Sequence, residues 1–191
     1  MSVSEVKITL YRKIILNNFF CDFRHRRVTN TTMDSEFEQT IKENVGVLHK
    51  LCRVYTYNAD EYEELFQEML VQIWRSTENF RGEAKISTFI YQICINTALS
   101  FRAKIVRSKK RFEPLDGKNF VQPALDTFKD ERLQKLYGAI RNLKPIDRAI
   151  VSLYLDDKSY EETAQILGIS KTNVATRLMR LKKQLMEKLS V

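Results

Sequence analysis

The sequence predicts an all-α protein of two small helical domains joined by a flexible linker, and three observations carry that reading. Apolar residues recur at steps of three or four along most of the chain, the spacing of one helical face. Nothing alternates with period two over a useful length, which leaves no strand to predict. The periodic stretches also fall into two groups. Between about Ile105 and Thr127 the period is lost, and Pro114, Gly117 and Pro123 lie among charges, the composition of a linker.

Residues 1–33 fit neither group. Phe19, Phe20 and Phe23 lead into the basic run Arg24, His25, Arg26, Arg27 and then Thr29-Asn30-Thr31-Thr32, with no sustained period. This stretch reads as a disordered arm or a misassigned start, with Met33 standing directly before the helix-opening pair Asp34-Ser35. The first domain is assigned to 34–106, the linker to 107–127 and the second domain to 128–191.

Within the first domain, Phe37, Ile41, Val45, Leu48, Cys52 and Tyr55 share one face of a first helix, which Asn58-Ala59-Asp60 interrupts. Tyr62, Leu65, Phe66, Met69, Ile73 and Trp74 mark a second helix. Asn79 to Lys85, containing Gly82, reads as a loop, and Ser87-Thr88 opens a third helix with Phe89, Ile90, Ile93, Cys94, Thr97 and Phe101 inside. The second domain should hold four helices near 128–143, 145–156, 159–167 and 171–189. Pro145 suits the first turn of the second of these, where its missing N–H costs nothing.

Composition narrows the function classes. The chain of 191 residues carries a formal net charge of +8 and a pI near 9.4, which favours a polyanionic partner. Cys21, Cys52 and Cys94 are odd in number and lack CxxC spacing, so no disulfide framework is expected and a reducing cytoplasm is. Cys52 and Cys94 fall on apolar stripes as small core residues. Cys21 and His25 have the spacing of half a metal site with no second half, so neither metal nor cofactor is expected. No apolar run reaches the roughly 18 residues of a membrane span, and the interrupted start does not read as a signal peptide, so no direct membrane insertion is expected.

The most specific local signal is Ser159-Tyr-Glu-Glu-Thr-Ala-Gln-Ile-Leu-Gly-Ile-Ser-Lys-Thr-Asn-Val-Ala-Thr-Arg-Leu178. Ser159 and Glu162 form a capping box, Gly168 supplies a turn residue that tolerates positive φ, and Ser170 can cap the next helix. A short helix, a glycine turn and a longer basic helix make a helix-turn-helix. Val174, Leu178, Leu181 and Leu185 form its inward stripe. Lys171, Thr172, Asn173, Thr176, Arg177 and Arg180 remain outside, where Arg and Lys can read guanine edges and Asn can read adenine.

At this point the chain from 34 to 190 resembles the sigma-70 family of RNA polymerase sigma factors, specifically the extracytoplasmic-function type with only regions 2 and 4. One part of the resemblance is Asp60-Glu-Tyr-Glu-Glu-Leu-Phe-Gln-Glu-Met-Leu-Val-Gln-Ile-Trp74, with Phe80-Arg-Gly and Thr88-Phe-Ile-Tyr-Gln-Ile-Cys-Ile-Asn96 following. The other is the helix-turn-helix, preceded by Leu143-Lys-Pro-Ile-Asp-Arg148. The resemblance implies that Asp60, Glu64, Gln67 and Glu68 dock on core RNA polymerase. It implies that Asn79, Phe80, Ser87, Thr88, Tyr91, Asn96, Arg102 and Arg107 handle the promoter −10 element and its melting. It implies that the recognition helix, with Ser170 at its start, grips the −35 element. Aromatic faces suit a base leaving its stack, stacking being worth about 1–3 kcal/mol per base. Phe80 fits a core plug equally well. Arg102, Lys104, Arg107, Lys109, Lys110 and Arg111 put six basic residues within ten positions, a pattern for phosphate contacts that position the duplex.

Asn173-Val174-Ala175-Thr176-Arg177 departs from relatives that carry Thr before the Val and Lys after it, which leaves the −35 sequence open. The resemblance further implies an anti-sigma partner. His25 and His49 lie near no nucleophile, and neither a P-loop nor a dinucleotide glycine pattern occurs, so no catalytic residue and no small-molecule substrate are expected. Two other readings remain: a helix-turn-helix regulator acting without core polymerase, and an adaptor that binds polymerase without selecting promoters.

Overall fold

The computed structural model describes residues 31–77, 80, 82, 85–112 and 131–189. These residues form seven helices and, among the described residues, no strand: α1 (Thr31–Tyr55), α2 (Ala59–Thr77), α3 (Ile86–Phe112), α4 (Glu131–Arg141), α5 (Pro145–Tyr154), α6 (Tyr160–Leu167) and α7 (Lys171–Leu189). The expectation of an all-α chain with two groups of helices holds.

Contacts divide the chain inside α1, into residues 1–39 and a compact unit of residues 40–191. Of the first unit, only the start of α1 lies among the described residues. That start is earlier than the expected Asp34-Ser35, since Thr31 and Thr32 are already helical. The expected features of residues 1–30, Cys21 and His25 among them, lie outside the described residues.

In the second unit, α1 to α3 close a core around Leu48, Leu51, Cys52, Leu65, Met69, Ile73, Ile90, Cys94, Ile95 and Phe101, all at most 1% exposed. Cys52 Sγ lies 4.0 Å from Met69 Sδ, a soft contact between α1 and α2. Burial pushes the Cys94 thiol up to about 12 and the Cys52 thiol higher still, so both act as small hydrophobes. The chain turns between α1 and α2 at Asn58, whose Oδ1 accepts from Glu61 N at 2.7 Å and so satisfies an otherwise orphaned helix donor. Leu65 is fully buried as expected, whereas Trp74 is only half-buried.

α3 outlasts its expected end near 105 and stays helical to Phe112. Periodicity is a poor guide there because Val106, Arg107 and Ser108 are all exposed, so no apolar stripe is required. Straight-chain Lys and Arg favour helix without one. The rest of the expected linker, 113–127, lies outside the described residues.

The second group packs α4 to α6 against α7. Ile140, Leu143, Ala149, Ile150, Leu153, Ile166, Val174 and Leu178 fill its interior, each at most 5% exposed. Pro145 occupies the first turn of α5 as expected. α5 ends in a reverse turn in which Asp157 N donates to Tyr154 O and Lys158 N to Leu153 O, at 3.1 Å each. Asp157 takes φ 54°, a left-handed conformation that an aspartate tolerates better than most side chains.

Candidate nucleic-acid interface

The helix-turn-helix is built as its sequence demands. Ser159 Oγ accepts from Glu162 N at 3.1 Å, and Glu162 Oε2 accepts from Ser159 N at 3.0 Å, completing the capping box of α6. Gly168 at φ 64° ends α6, and Ile169 N donates to Ala164 O. Ser170 Oγ then accepts from Asn173 N at 3.2 Å and caps α7. Val174, Leu178, Leu181 and Leu185 are buried, which fixes the rotation of α7. Lys171, Thr172, Asn173, Thr176 and Arg180 are exposed in consequence.

Arg177 is the exception on that face. Its Nη1 donates to Asp147 Oδ1 at 2.8 Å and its Nε to Asn173 Oδ1 at 2.9 Å, leaving the side chain 38% exposed. Asp147, on α5, therefore aims the guanidinium along the helix surface, and part of its five-donor fork is already committed. Lys171 is ion-paired with Glu161 across the turn, which holds the Glu161 carboxyl below its ordinary range.

The residues assigned to the −10 element are placed less uniformly. Asn96, Arg107 and part of Phe80 are open to solvent, and Ser87 is half-buried. The Phe80 ring packs on Phe89 at 4.8 Å between centroids. Thr88 and Tyr91 are buried, 6% and 3% exposed. The Tyr91 hydroxyl donates to Asp156 Oδ2, and Lys158 Nζ stands 5.5 Å over its ring. Arg102 stacks on Tyr57 at 4.6 Å and pairs with Glu61 at 3.3 Å, with 14% of its side chain exposed. Asn79 lies outside the described residues. The surface open to an extruded base is thus narrower than the sequence suggests.

Asp60, Glu64 and Gln67 are exposed and Glu68 is half-buried, on one face of α2 as their spacing requires. Glu64 meets Lys104 at 3.5 Å in an exposed pair. Such a pair contributes little and leaves the acidic face available to a partner.

Sequence reasoning missed a polar seam between the two helical groups. Arg148, 6% exposed, donates from Nε to Leu143 O at 2.9 Å, from Nη1 to Val54 O at 3.1 Å and from Nη2 to Tyr57 Oη at 2.7 Å. Tyr55 Oη donates to Pro145 O at 2.7 Å, and Tyr57 Oη to Arg141 O at 3.2 Å. Asp156 pairs with Lys50 as well as Tyr91. In the sequence the signal for this is slight: Arg148 shares its helix face with Val151 and Ser152, beside the apolar run Ala149-Ile150-Val151, where a charge needs a buried partner.

Comparison with known proteins follows the same division. A family model described as sigma-70 region 2 matches residues 40–112, and one described as sigma-70 region 4 matches 133–185; together they take in about two thirds of the chain. ECF RNA polymerase sigma factor SigM of Mycobacterium tuberculosis is 25% identical over 153 residues, 78% of this chain and 74% of that one. RNA polymerase sigma factor SigV of Bacillus subtilis is 28% identical over 136 residues, 69% of this chain and 78% of that one. The fold is similar to that of the sigma factor RpoE solved with the anti-sigma factor NepR from Bartonella quintana. There the TM-score is 0.68 at 22% identity, over 82% of this chain and 98% of that one.

Proposed function

This chain belongs to the sigma-70 family of RNA polymerase sigma factors, with the two-region layout of the extracytoplasmic-function type, and on that premise we propose how its surfaces divide the work. The chain binds core RNA polymerase, directs it to promoters and promotes DNA melting. The observation that carries this is the pairing, in one chain and in the family's order, of an α2 acidic face with a capped helix-turn-helix.

The exposed face of α7 enters the −35 major groove, with Asn173, Thr176, Arg177 and Arg180 toward base edges and Lys171 toward phosphate. Each good bidentate contact discriminates by about 1–3 kcal/mol. Asn96, Phe80 and Ser87 face the −10 strand as it opens, Thr88 and Tyr91 join them once uncovered, and Arg102 and Arg107 steady the backbone. Asp60, Glu64, Gln67 and Glu68 dock on polymerase. The polymerase supplies all the chemistry, and no residue of this chain acts as a catalyst. No helix of the described residues is long and apolar enough to cross a membrane, which suits work in the cytoplasm. An anti-sigma factor is the expected inhibitor.

The experiment is to combine the protein with core polymerase and genomic DNA fragments and to map transcript starts. Promoter-specific starts that need both proteins support this reading. Starts that ignore the protein overturn it, as does tight specific DNA binding with no effect on initiation.

A further inference from the structure

Arg177 does more than join α7 to α5, because its two hydrogen bonds leave from different atoms and lead to different places. Nη1 reaches Asp147 Oδ1 on α5, and Nε reaches Asn173 Oδ1, one turn back on the recognition helix. The inner end is firmly held. Asp147 is in the first turn of α5, where the helix dipole favours a carboxylate, and its side chain is 16% exposed. Buried Ala149 and Ile150 fix α5 on one side of the pair, and buried Val174 and Leu178 fix α7 on the other. Lys171 and Glu161, by contrast, are 61% and 63% exposed, and water screens such a pair strongly.

The outer end fixes the Asn173 amide. Guanidinium N–H groups only donate, so the amide atom that faces Arg177 is its oxygen. An Asn reads adenine with both ends of one amide, accepting from N6 and donating to N7. Here Oδ1 is engaged and a cation lies beside it, so an adenine amino group arriving at Oδ1 meets a donor already in place. What Asn173 has left for a base is its Nδ2 amino group, which only donates. Guanine alone presents two acceptors, N7 and O6, side by side in the major groove.

We propose that Asp147, which lies outside the recognition helix, determines −35 specificity: through Arg177 it holds Asn173 as a donor, so that the helix selects guanine over adenine at the base pair Asn173 faces. Asp147 touches no base in this arrangement and is a positioning residue. The consequence for promoters rests on the sigma reading, whereas the side-chain network does not.

The test uses holoenzyme, formed from core polymerase and the full-length protein, with duplexes from a mapped promoter in which each −35 base pair is changed in turn to the other three. Relative affinities come from competition between duplexes. Asn173→Ala identifies the base pair that Asn173 faces, as the one whose preference it flattens. In wild type that pair should carry guanine, favoured over adenine by about tenfold. Asp147→Ala should abolish this preference and leave base pairs more than one step away as they were. Arg177→Met frees Oδ1 and should bring adenine level with guanine or above it. In the Arg177→Met background, adding Asp147→Ala should change no preference further, since Asp147 acts only through Arg177. A purely structural role for Asp147 would instead weaken binding to every duplex equally.

A base other than guanine preferred at that pair in wild type overturns the proposal, and so does an Asn173→Ala variant that flattens no position. A guanine preference that survives Asp147→Ala or Arg177→Met overturns it too, as does a further shift in the double variant. Each of these leaves the sigma reading standing. A wild-type holoenzyme with no −35 preference at all removes the sigma reading, and the role of Asp147 falls with it.

Discussion

His49 sits at the join of α1 and α2, stacked on Phe66 at 4.9 Å and bonded through Nδ1 to the Tyr62 hydroxyl at 2.5 Å. Burial first, and then the neighbouring Arg53 charge, lower its pKa below the ordinary 6.5. The folded protein therefore prefers the neutral ring. Stability linked to His49 is present above pH 6.5 and is lost as the pH falls through the lowered folded value. Thermal melts below pH 6.5 should show this loss, and His49→Phe, which keeps the stack, should flatten it. An identical pH profile in the variant would place the titration elsewhere. Arg177 is read differently, since it is already tied to Asp147 and Asn173. Arg177→Ala should reduce discrimination among −35 sequences by about 1–3 kcal/mol, measured as relative holoenzyme affinities. Unchanged relative affinities would leave Arg177 as a brace for α7 and shift the reading to Arg180 and Asn173. Both residues are visible in the sequence, but only the fold shows that one is half-buried against tyrosine and the other held by an acid.

At the scale of elements, the helix-turn-helix is the part the sequence specifies most fully, because each end is written in local chemistry. Ser159, Glu162, Gly168 and Ser170 act within four residues of their partners, so their roles need no tertiary knowledge. Ser159→Ala should cost about 1 kcal/mol. Spread over a cooperative unit of this size, that lowers Tm by about 2–4 °C. Gly168→Ala places a Cβ at φ 64° and should destabilise by a comparable amount or more, although no atom crowds the site. A melt in which neither substitution lowers Tm would show that the motif's ends are held by packing alone. The same logic explains what periodicity hid. The last turns of α3 are solvated and have no apolar stripe to announce them. The C-terminal turn of α5 uses Asp157 where glycine is the usual signal. Asn58, read as an interruption between helices, is the cap that starts the second one.

For the whole molecule, the sequence tells which surfaces exist but not which of them face one another. Basic and acidic faces follow from helical spacing, and so do both cores. The seam joins residues far apart in the chain, such as Tyr91 with Asp156, 65 positions apart, and Arg148 with Val54, 94 apart, and no local pattern encodes such pairs. Tyr91 illustrates the consequence. Its place beside Thr88 suggests a base-stacking aromatic, yet its hydroxyl is spent on Asp156 of the other domain. If the seam couples the domains, they should also melt together. Calorimetry of the full chain should then give one transition whose van't Hoff and calorimetric enthalpies agree. Removing both hydroxyls with Tyr55→Phe and Tyr57→Phe leaves each core intact, because Tyr55 and Tyr57 use them toward Pro145 and Arg141 rather than within their own domain. The variant should split into two transitions, or show a van't Hoff enthalpy well below the calorimetric one. Two resolved transitions in the unsubstituted protein would mean that the domains melt independently and that the seam adds no coupling.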